Sequence, residues 1–523
     1  SPRAIAFDES AIKEKLSNTE APCYAVRDFR GRIGFTNEGA ISSEGQGLEV
    51  VAYAPAFTAD QLGDASFRKD YNLKYAYKTG AMANGIASEA LVIAMGKAGL
   101  LGSFGAAGLV PKRVMQAIDT IQAALPTQSY AFNLIHSPNE EALERGAVEL
   151  YLQHGVHVVE ASAYLRLTKH IARYRVAGLS QDAEGNVQIQ NRVIAKISRK
   201  ETAKQFMEPC PDKLLQTLLS EGHITEAQAQ LAKQVPMADD ITMEADSGGH
   251  TDNRALVVSL PTIVSLRDQI MQQYNYATPI RVGAAGGIST PESALAAFTM
   301  GAAYVVTGSV NQGCVEAGTS EHVRKLLAGV SVTDVMMAPA SDMFEMGVEL
   351  QVLRRGTLFG PRAKKLYELY SRYKSIEEIP TEEIEKLEQK VFKKSLEDIW
   401  QGCIEFFTER DPHQIERAKN NPHRKMALIF RWYLGLSSSW ANAGTEGRKS
   451  DYQIWCGPAM GAFNEWAKGS HLEAYENRNA AEVAEYIMQG AAYCYRIQTL
   501  RAQGAEVPQS CKHYVIEKEK ALA

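Results

Sequence analysis

From Tyr75 to about residue 307 the chain alternates short apolar runs with longer stretches in which apolar residues recur three or four apart. The runs lie at 75–82, 99–104, 129–134, 155–160, 191–197, 240–245, 279–284 and 302–307, and their lengths suit buried strands. The stretches 85–97, 111–124, 139–153 and 290–300 have the spacing of amphipathic helices. Thr290-Pro291-Glu292 opens the last of these with an N-cap residue and a proline at the first helical position. Eight strands interleaved with helices over roughly 250 residues predict an α/β fold, a (β/α)8 TIM barrel. An open doubly wound sheet would show the same alternation, because alternation does not reveal closure.

The flanks differ in texture. Residues 1–20 read as a polar helix or arm. Tyr24–Arg27 and Ile33–Phe35 flank Asp28-Phe29-Arg30-Gly31, a hairpin with a glycine-closed turn. Residues 1–72 thus read as an N-terminal cap segment and 73–339 as the barrel. A helical insertion is expected at about 200–236, where Pro211–Val235 reads as a helical hairpin broken at Gly222-His223. Residues 340–361 read as an irregular lid. Helices are expected at 362–374, 381–408, 413–419, 423–436 and 478–503, which makes 340–523 a lid and C-terminal helical domain, with a surface for a homodimer contact.

Composition removes several classes of function. A net charge of −5 without a dominant basic block gives no sign of a nucleic-acid partner. Seven scattered cysteines without a CxxC argue for a reducing compartment and against a disulfide framework or zinc site. His154 and His157 are separated by Gly155 at a strand start and do not share a helix face, so no metal site is expected. The apolar stretch 91–110 contains Lys97 and several glycines, and barrel elements explain it better than a membrane span. With no secretory signal at its start, the chain reads as soluble and cytoplasmic, with no membrane partner.

Candidate chemistry gathers at the ends of the predicted strands. Ala285-Gly286-Gly287 follows the seventh and Gly308-Ser309 the eighth, where barrel enzymes often hold phosphate. Glycines let backbone N–H groups approach an anion, although glycine turns also end many strands for purely steric reasons. Gly248-Gly249-His250 follows the sixth strand. An imidazole there can give a hydrogen bond or a proton to a polarised carbonyl, with Asp246 or Asp252 to orient it; the plainer alternative is a surface histidine between solvated carboxylates. Lys196, at the end of the fifth strand, is either a cation toward a ring or phosphate or a side chain snorkelling to the rim. Asn133, in the third, can hydrogen-bond a ring edge. Gly80-Ala81-Met82-Ala83 ends the first, where small residues admit a flat ring or close packing. Arg354, Arg355, Arg362, Lys364 and Lys365 form a basic run, either a solvated face or a docking site for phosphate or an acidic carrier.

Taken in order, Gly80–Ala83, Asn133, Lys196, Glu244–His250, Ala285–Gly287 and Gly308-Ser309 resemble the nitronate monooxygenase and FMN-dependent enoyl reductase superfamily. Asp342-Met-Phe-Glu-Met346, Val352-Leu-Arg-Arg-Gly356, Pro361-Arg-Ala-Lys364, Arg431–Leu436 and Asp451–Asn464 narrow the resemblance to the PfaD family. These are discrete enoyl reductase subunits of polyunsaturated fatty acid synthases, similar to the trans-acting reductases of polyketide synthases. The resemblance implies a TIM barrel with FMN on its C-terminal loops. Its cofactor residues would be Ala81, Met82, Ala83, Asn133, Lys196, Gly248, Gly249, Ala285, Gly286, Gly287, Gly308 and Ser309, with His250 catalytic. It implies NADPH as electron donor, a 2-enoyl thioester as substrate and acyl carrier protein domains as partners. A nitronate-type flavin oxidase and a non-catalytic docking subunit of a synthase are the alternatives. The chain departs from simpler relatives at Gly308-Ser309, where they often carry Gly-Thr, and at Thr251-Asp252-Asn253, where they have a short glycine turn.

Overall fold

A computed structural model describes residues 5–516 apart from 44, 46, 139 and 140. All eight apolar runs form strands: β1 Tyr77–Thr79, β2 Leu101–Phe104, β3 Ala131–Ile135, β4 Val158–Ser162, β5 Arg192–Ile197, β6 Asp240–Glu244, β7 Arg281–Ala285 and β8 Val305–Thr307. They pair in parallel, in chain order, as a closed barrel. Closure is the register Val305↔Tyr77, Val306↔Lys78 and Thr307↔Thr79, which joins β8 to β1 and excludes the open sheet. The expected helices follow at Glu89–Lys97, Pro111–Ala124, Glu141–Gln153 and Pro291–Thr299. Two positions of the predicted 139–153 helix, and the first four of the N-terminal arm, lie outside the described residues.

The N-terminal end of the barrel is plugged. Helix Ala65–Tyr71 stacks Phe67 on Tyr304 at 4.2 Å, and the Tyr71 hydroxyl donates to Asp240 at 2.6 Å. Arg281 bridges Asp240 and Asp70 at 2.6 and 2.7 Å. Asp240 and Arg281 begin β6 and β7, so charge and aromatic packing are spent at the foot of the strands and side chains near their C-terminal ends are left for chemistry.

The chain divides into two compact units. The first comprises 1–245, 254–317 and 466–523. In it the hairpin Cys23–Arg27 and Ile33–Thr36, extended by Glu49–Ala54, packs Cys23, Ala25 and Phe35 with Tyr493, Ile497 and Leu500 of helix Ala480–Ala502. The insertion forms helices Lys200–Met207, Asp212–Ser220 and Glu226–Leu231, with Gly222 at φ +71° in the expected break.

The second unit comprises 246–253 and 318–465. Its core gathers Phe344, Phe359, Leu366, Phe392, Phe430 and Tyr433. Two stretches of this unit depart from the sequence expectation. Residues 340–361 are not irregular throughout: Glu349–Leu353 pairs antiparallel with Val335–Pro339. The helix expected over 381–408 breaks at Lys393, which adopts φ +54°, and restarts at Leu396 under a Ser395 cap. No helix among the described residues is long and apolar enough to cross a membrane. All seven cysteines are unpaired and buried.

Candidate active site

Three glycine-rich turns leave the C-terminal ends of the neighbouring strands β7, β8 and β1. Past Ala285, Gly286 and Gly287 both adopt positive φ, +85° and +77°, which only glycine takes without strain. A Cβ on Gly287 or on Gly308 would meet no atom within 4 Å, so both turns are open. Ser309 opens the short helix Ser309–Gln312. Two buried oxygens, Ser289 Oγ and Asn311 Oδ1, have no hydrogen-bond partner among the described residues. The Asn311 amide donates instead to the carbonyl and hydroxyl of Thr307, both at 2.9 Å. Open glycine turns, a spare hydroxyl and a spare acceptor fit a phosphate on a polyhydroxyl chain, the tail of FMN.

The segment after β1 is tied down from beneath. Gly80 N–H donates to the Thr307 carbonyl at 2.9 Å, and Ala81 N–H donates to Glu160 Oε1 at 3.2 Å. A Cβ on Gly105 would lie 1.7 Å from the Met82 carbonyl oxygen, so the loop after β2 can pass only as glycine. Ala81, Met82 and Ala83 remain partly exposed above this backbone, as a flat ring requires.

Above the Asp240–Arg281 pair, Lys78, Glu160, Lys196 and Glu244 place charges of alternating sign in the barrel. Lys78 on β1 bonds Glu160 on β4, and both are buried to within 2% of full enclosure. Lys196 on β5 lies 3.1 Å from Glu244 on β6. Burial pushes the Glu160 carboxyl up, but Lys78 and Lys196 outweigh it and hold the group below the usual carboxylate range. Burial disfavours the Lys196 ammonium, yet Glu244 and Glu160 raise its pKa above the ordinary value, so it stays a cation at neutral pH. Lys196 therefore turns to carboxylates rather than out to the rim. Asn133 commits its amide nitrogen to β4, donating to Glu160 O at 3.0 Å and Ser162 Oγ at 2.9 Å, and its Oδ1 has no partner among the described residues. Sequence reading missed Lys78 and Glu160. The signal was a lone lysine inside the first apolar run and a lone glutamate inside the fourth.

The second unit holds His250. Its Nε2 lies 3.2 Å from Oδ2 of Asp342, and both side chains are partly exposed. Asp246 is engaged elsewhere: it accepts from Asn253 at 2.8 Å and from Gln351 at 2.9 Å. Asp342 opens one of the motifs that carry the family resemblance, which was the available signal. Burial raises the Asp342 carboxyl, but the His250 bond outweighs it and the net pKa is lowered. Gly248 and Gly249 have packing reasons of their own. A Cβ on Gly248 would come within 2.8 Å of the Cys456 backbone, and Gly249 exchanges both backbone hydrogen bonds with Gln351. The basic run is partly spent on structure, since Arg362 pairs with fully buried Asp451. Among the described residues no cluster of three or more His, Cys, Asp or Glu could hold a metal.

Comparison with known proteins agrees with this architecture. The family model for nitronate monooxygenase matches residues 72–358, and that for the N-terminal domain of the fatty acid synthase protein PfaD matches 1–56. The inserted helical domain of [acyl-carrier-protein] S-malonyltransferase matches 373–452. A polyunsaturated fatty acid synthase subunit of Thraustochytrium sp. is 48% identical over 94% of this chain and 33% of its own length. Polyketide biosynthesis protein PksE of Bacillus subtilis is 49% identical over 82% of this chain and 56% of its own length. The chain thus spans about a third to a half of these two relatives. The crystal structure of the enoyl reductase domain of MlnA, from the macrolactin biosynthesis cluster of Bacillus amyloliquefaciens, is 41% identical with a TM-score of 0.81, covering 84% of this chain and 100% of that one. With one family model over more than half its length and that domain matched from end to end, the chain belongs to the PfaD family, within the nitronate monooxygenase superfamily.

Proposed function

We propose that the chain is an FMN-dependent enoyl reductase that acts in trans on 2-enoyl thioesters of acyl carrier protein, with NADPH as electron donor, in polyunsaturated fatty acid or polyketide synthesis. The observation that carries this reading is the grouping of three glycine-rich turns on adjacent strands β7, β8 and β1. Similarity to the enoyl reductase domain of MlnA, to a polyunsaturated fatty acid synthase subunit and to polyketide biosynthesis protein PksE supports the substrate class.

Gly286, Gly287, Gly308 and Ser309 would hold the phosphate of FMN, and Ala81–Ala83 would carry the ring. Oδ1 of Asn133 is an acceptor for a ring N–H. FMN, when bound, supplies the hydride chemistry that no side chain provides. Lys196 stands as a fixed cation against the charge that arrives with the hydride. His250, oriented by Asp342 and carrying hydrogen on both ring nitrogens, would donate from the free one to the thioester carbonyl or supply the proton that the α-carbon needs. The test compares NADPH-dependent turnover of a crotonyl thioester with turnover of a nitronate in air. Nitronate oxidation without enoyl reduction would favour the oxidase instead.

A further inference from the structure

TIM barrels are usually filled by layers of branched apolar side chains. This one buries an ion pair, Lys78 with Glu160, beneath the segment proposed to carry the ring, and burying a pair of charges is rarely the more stable choice. Glu160 does more than neutralise Lys78. Its two oxygens also accept from Ala81 N–H at 3.2 and 3.4 Å. Lys196 lies two residues past Ile194, the register partner of Glu160 on the adjacent strand, and bonds Glu244 on the strand beyond. The four charges run Lys78, Glu160, Lys196, Glu244 across strands β1, β4, β5 and β6 and sum to zero.

We propose that the Lys78–Glu160 pair is a positioning device that sets how readily a bound flavin is reduced, by balancing the charge of Lys196 under the Gly80–Ala83 segment. The inference rests on the flavin reading above. A hydride taken from a dihydronicotinamide brings one negative charge into the site, and the donor leaves as the oxidised pyridinium. In a site shielded from water that charge feels each fixed neighbour strongly. Loss of the Lys78 charge leaves Glu160 in excess and opposes reduction. Removal of Glu160 as well restores the balance.

The test is the midpoint potential of the bound flavin, read by visible absorbance against a reference dye in the intact protein. Lys78→Met is expected to shift the equilibrium between oxidised and reduced forms toward the oxidised by about tenfold, roughly 30 mV for two electrons. Lys78→Met/Glu160→Gln is expected to recover most of that shift. If Lys78→Met does not accumulate as folded protein, Glu160→Gln and the double variant are measured instead: Glu160→Gln should lie above the wild-type potential and the double variant close to it. A potential unchanged in Lys78→Met, a double variant that keeps the full negative shift, or a Glu160→Gln potential at or below wild type overturns the inference. A wild-type protein that takes up no FMN overturns the flavin reading itself, and the two failures are thereby distinguished.

Discussion

Nε2 of His250 stands 3.2 Å from Oδ2 of Asp342, a residue of the helical unit far along the chain. That bond occupies one ring nitrogen, so the other is the one left for substrate, and it donates only while both ring nitrogens carry hydrogen. His250→Ala should keep full FMN content while turnover of an enoyl thioester falls roughly 10²–10³-fold. Asp342→Asn should fall less, about tenfold, because the imidazole remains and only its orientation and support are lost. Steady-state rates with matched flavin content check both; near wild-type turnover in His250→Ala would remove the histidine from the chemistry.

The same pair predicts a pH response. The Asp342 carboxyl is held below its ordinary value by the His250 bond, against burial. A lowered carboxyl pKa contributes above the unfolded value and is lost as pH falls through the folded one. The orienting bond should therefore outlast an ordinary exposed carboxylate on acidification. Titration of the Asp342 carboxyl by NMR should give an apparent pKa below the usual aspartate range in the wild type and a rise toward it in His250→Ala.

Lys196 makes the opposite prediction. Its pKa is raised by Glu244 and Glu160, so its contribution is complete at neutral pH and lost only as pH rises through the folded value. Lys196→Met should weaken FMN retention about tenfold at pH 7, the scale of one charge-assisted contact. Flavin fluorescence during dilution measures the dissociation constant, and an unchanged constant and spectrum would count against the cation's role.

Gly248→Ala tests a packing constraint rather than chemistry. The added Cβ would sit 2.8–2.9 Å from backbone atoms of Cys456, which cannot rotate away. Overpacking of this kind costs roughly 1–3 kcal/mol. The melting temperature should fall and turnover with it, because His250 lies two residues on. Gly287→Ala meets no neighbour, so it should fold normally and lose FMN affinity through backbone strain at φ +77° alone.

Arg496 is the strongest structural test outside the site. Only 1% exposed, it donates to the carbonyls of Leu16, Asn18, Thr19, Ala21 and Pro55 and so staples the N-terminal segment to helix Ala480–Ala502. Arg496→Met would take the donor from these carbonyls, one buried and the rest partly so, at a cost on the order of 3 kcal/mol. A denaturation midpoint unchanged from wild type would contradict this.

Much of the barrel was legible because its strands are continuous apolar runs separated by helical spacing, a pattern that local burial imposes on both faces of a parallel sheet. Closure was not legible, since the β8–β1 register joins residues more than two hundred positions apart. The glycine turns were visible as composition, and their openness only as geometry. Lys78 and Glu160 were hidden because a single charge in an apolar run gives no hint of a partner across the barrel. The break at Lys393 was missed because a lysine in a left-handed conformation has no helix-breaking signature. Asp342 was named among the resemblance motifs, but its link to His250 is a contact that periodicity cannot encode.

The most direct test of the central claim is one experiment on the purified wild-type protein: its visible spectrum after reconstitution with FMN, followed by NADPH consumption on adding a 2-enoyl thioester. The account predicts flavin absorbance in the blue at about one FMN per chain, bleached by NADPH and restored by the enoyl thioester with formation of the saturated product. A protein that binds no FMN, or a bound flavin that NADPH bleaches but the enoyl thioester cannot reoxidise, would contradict it.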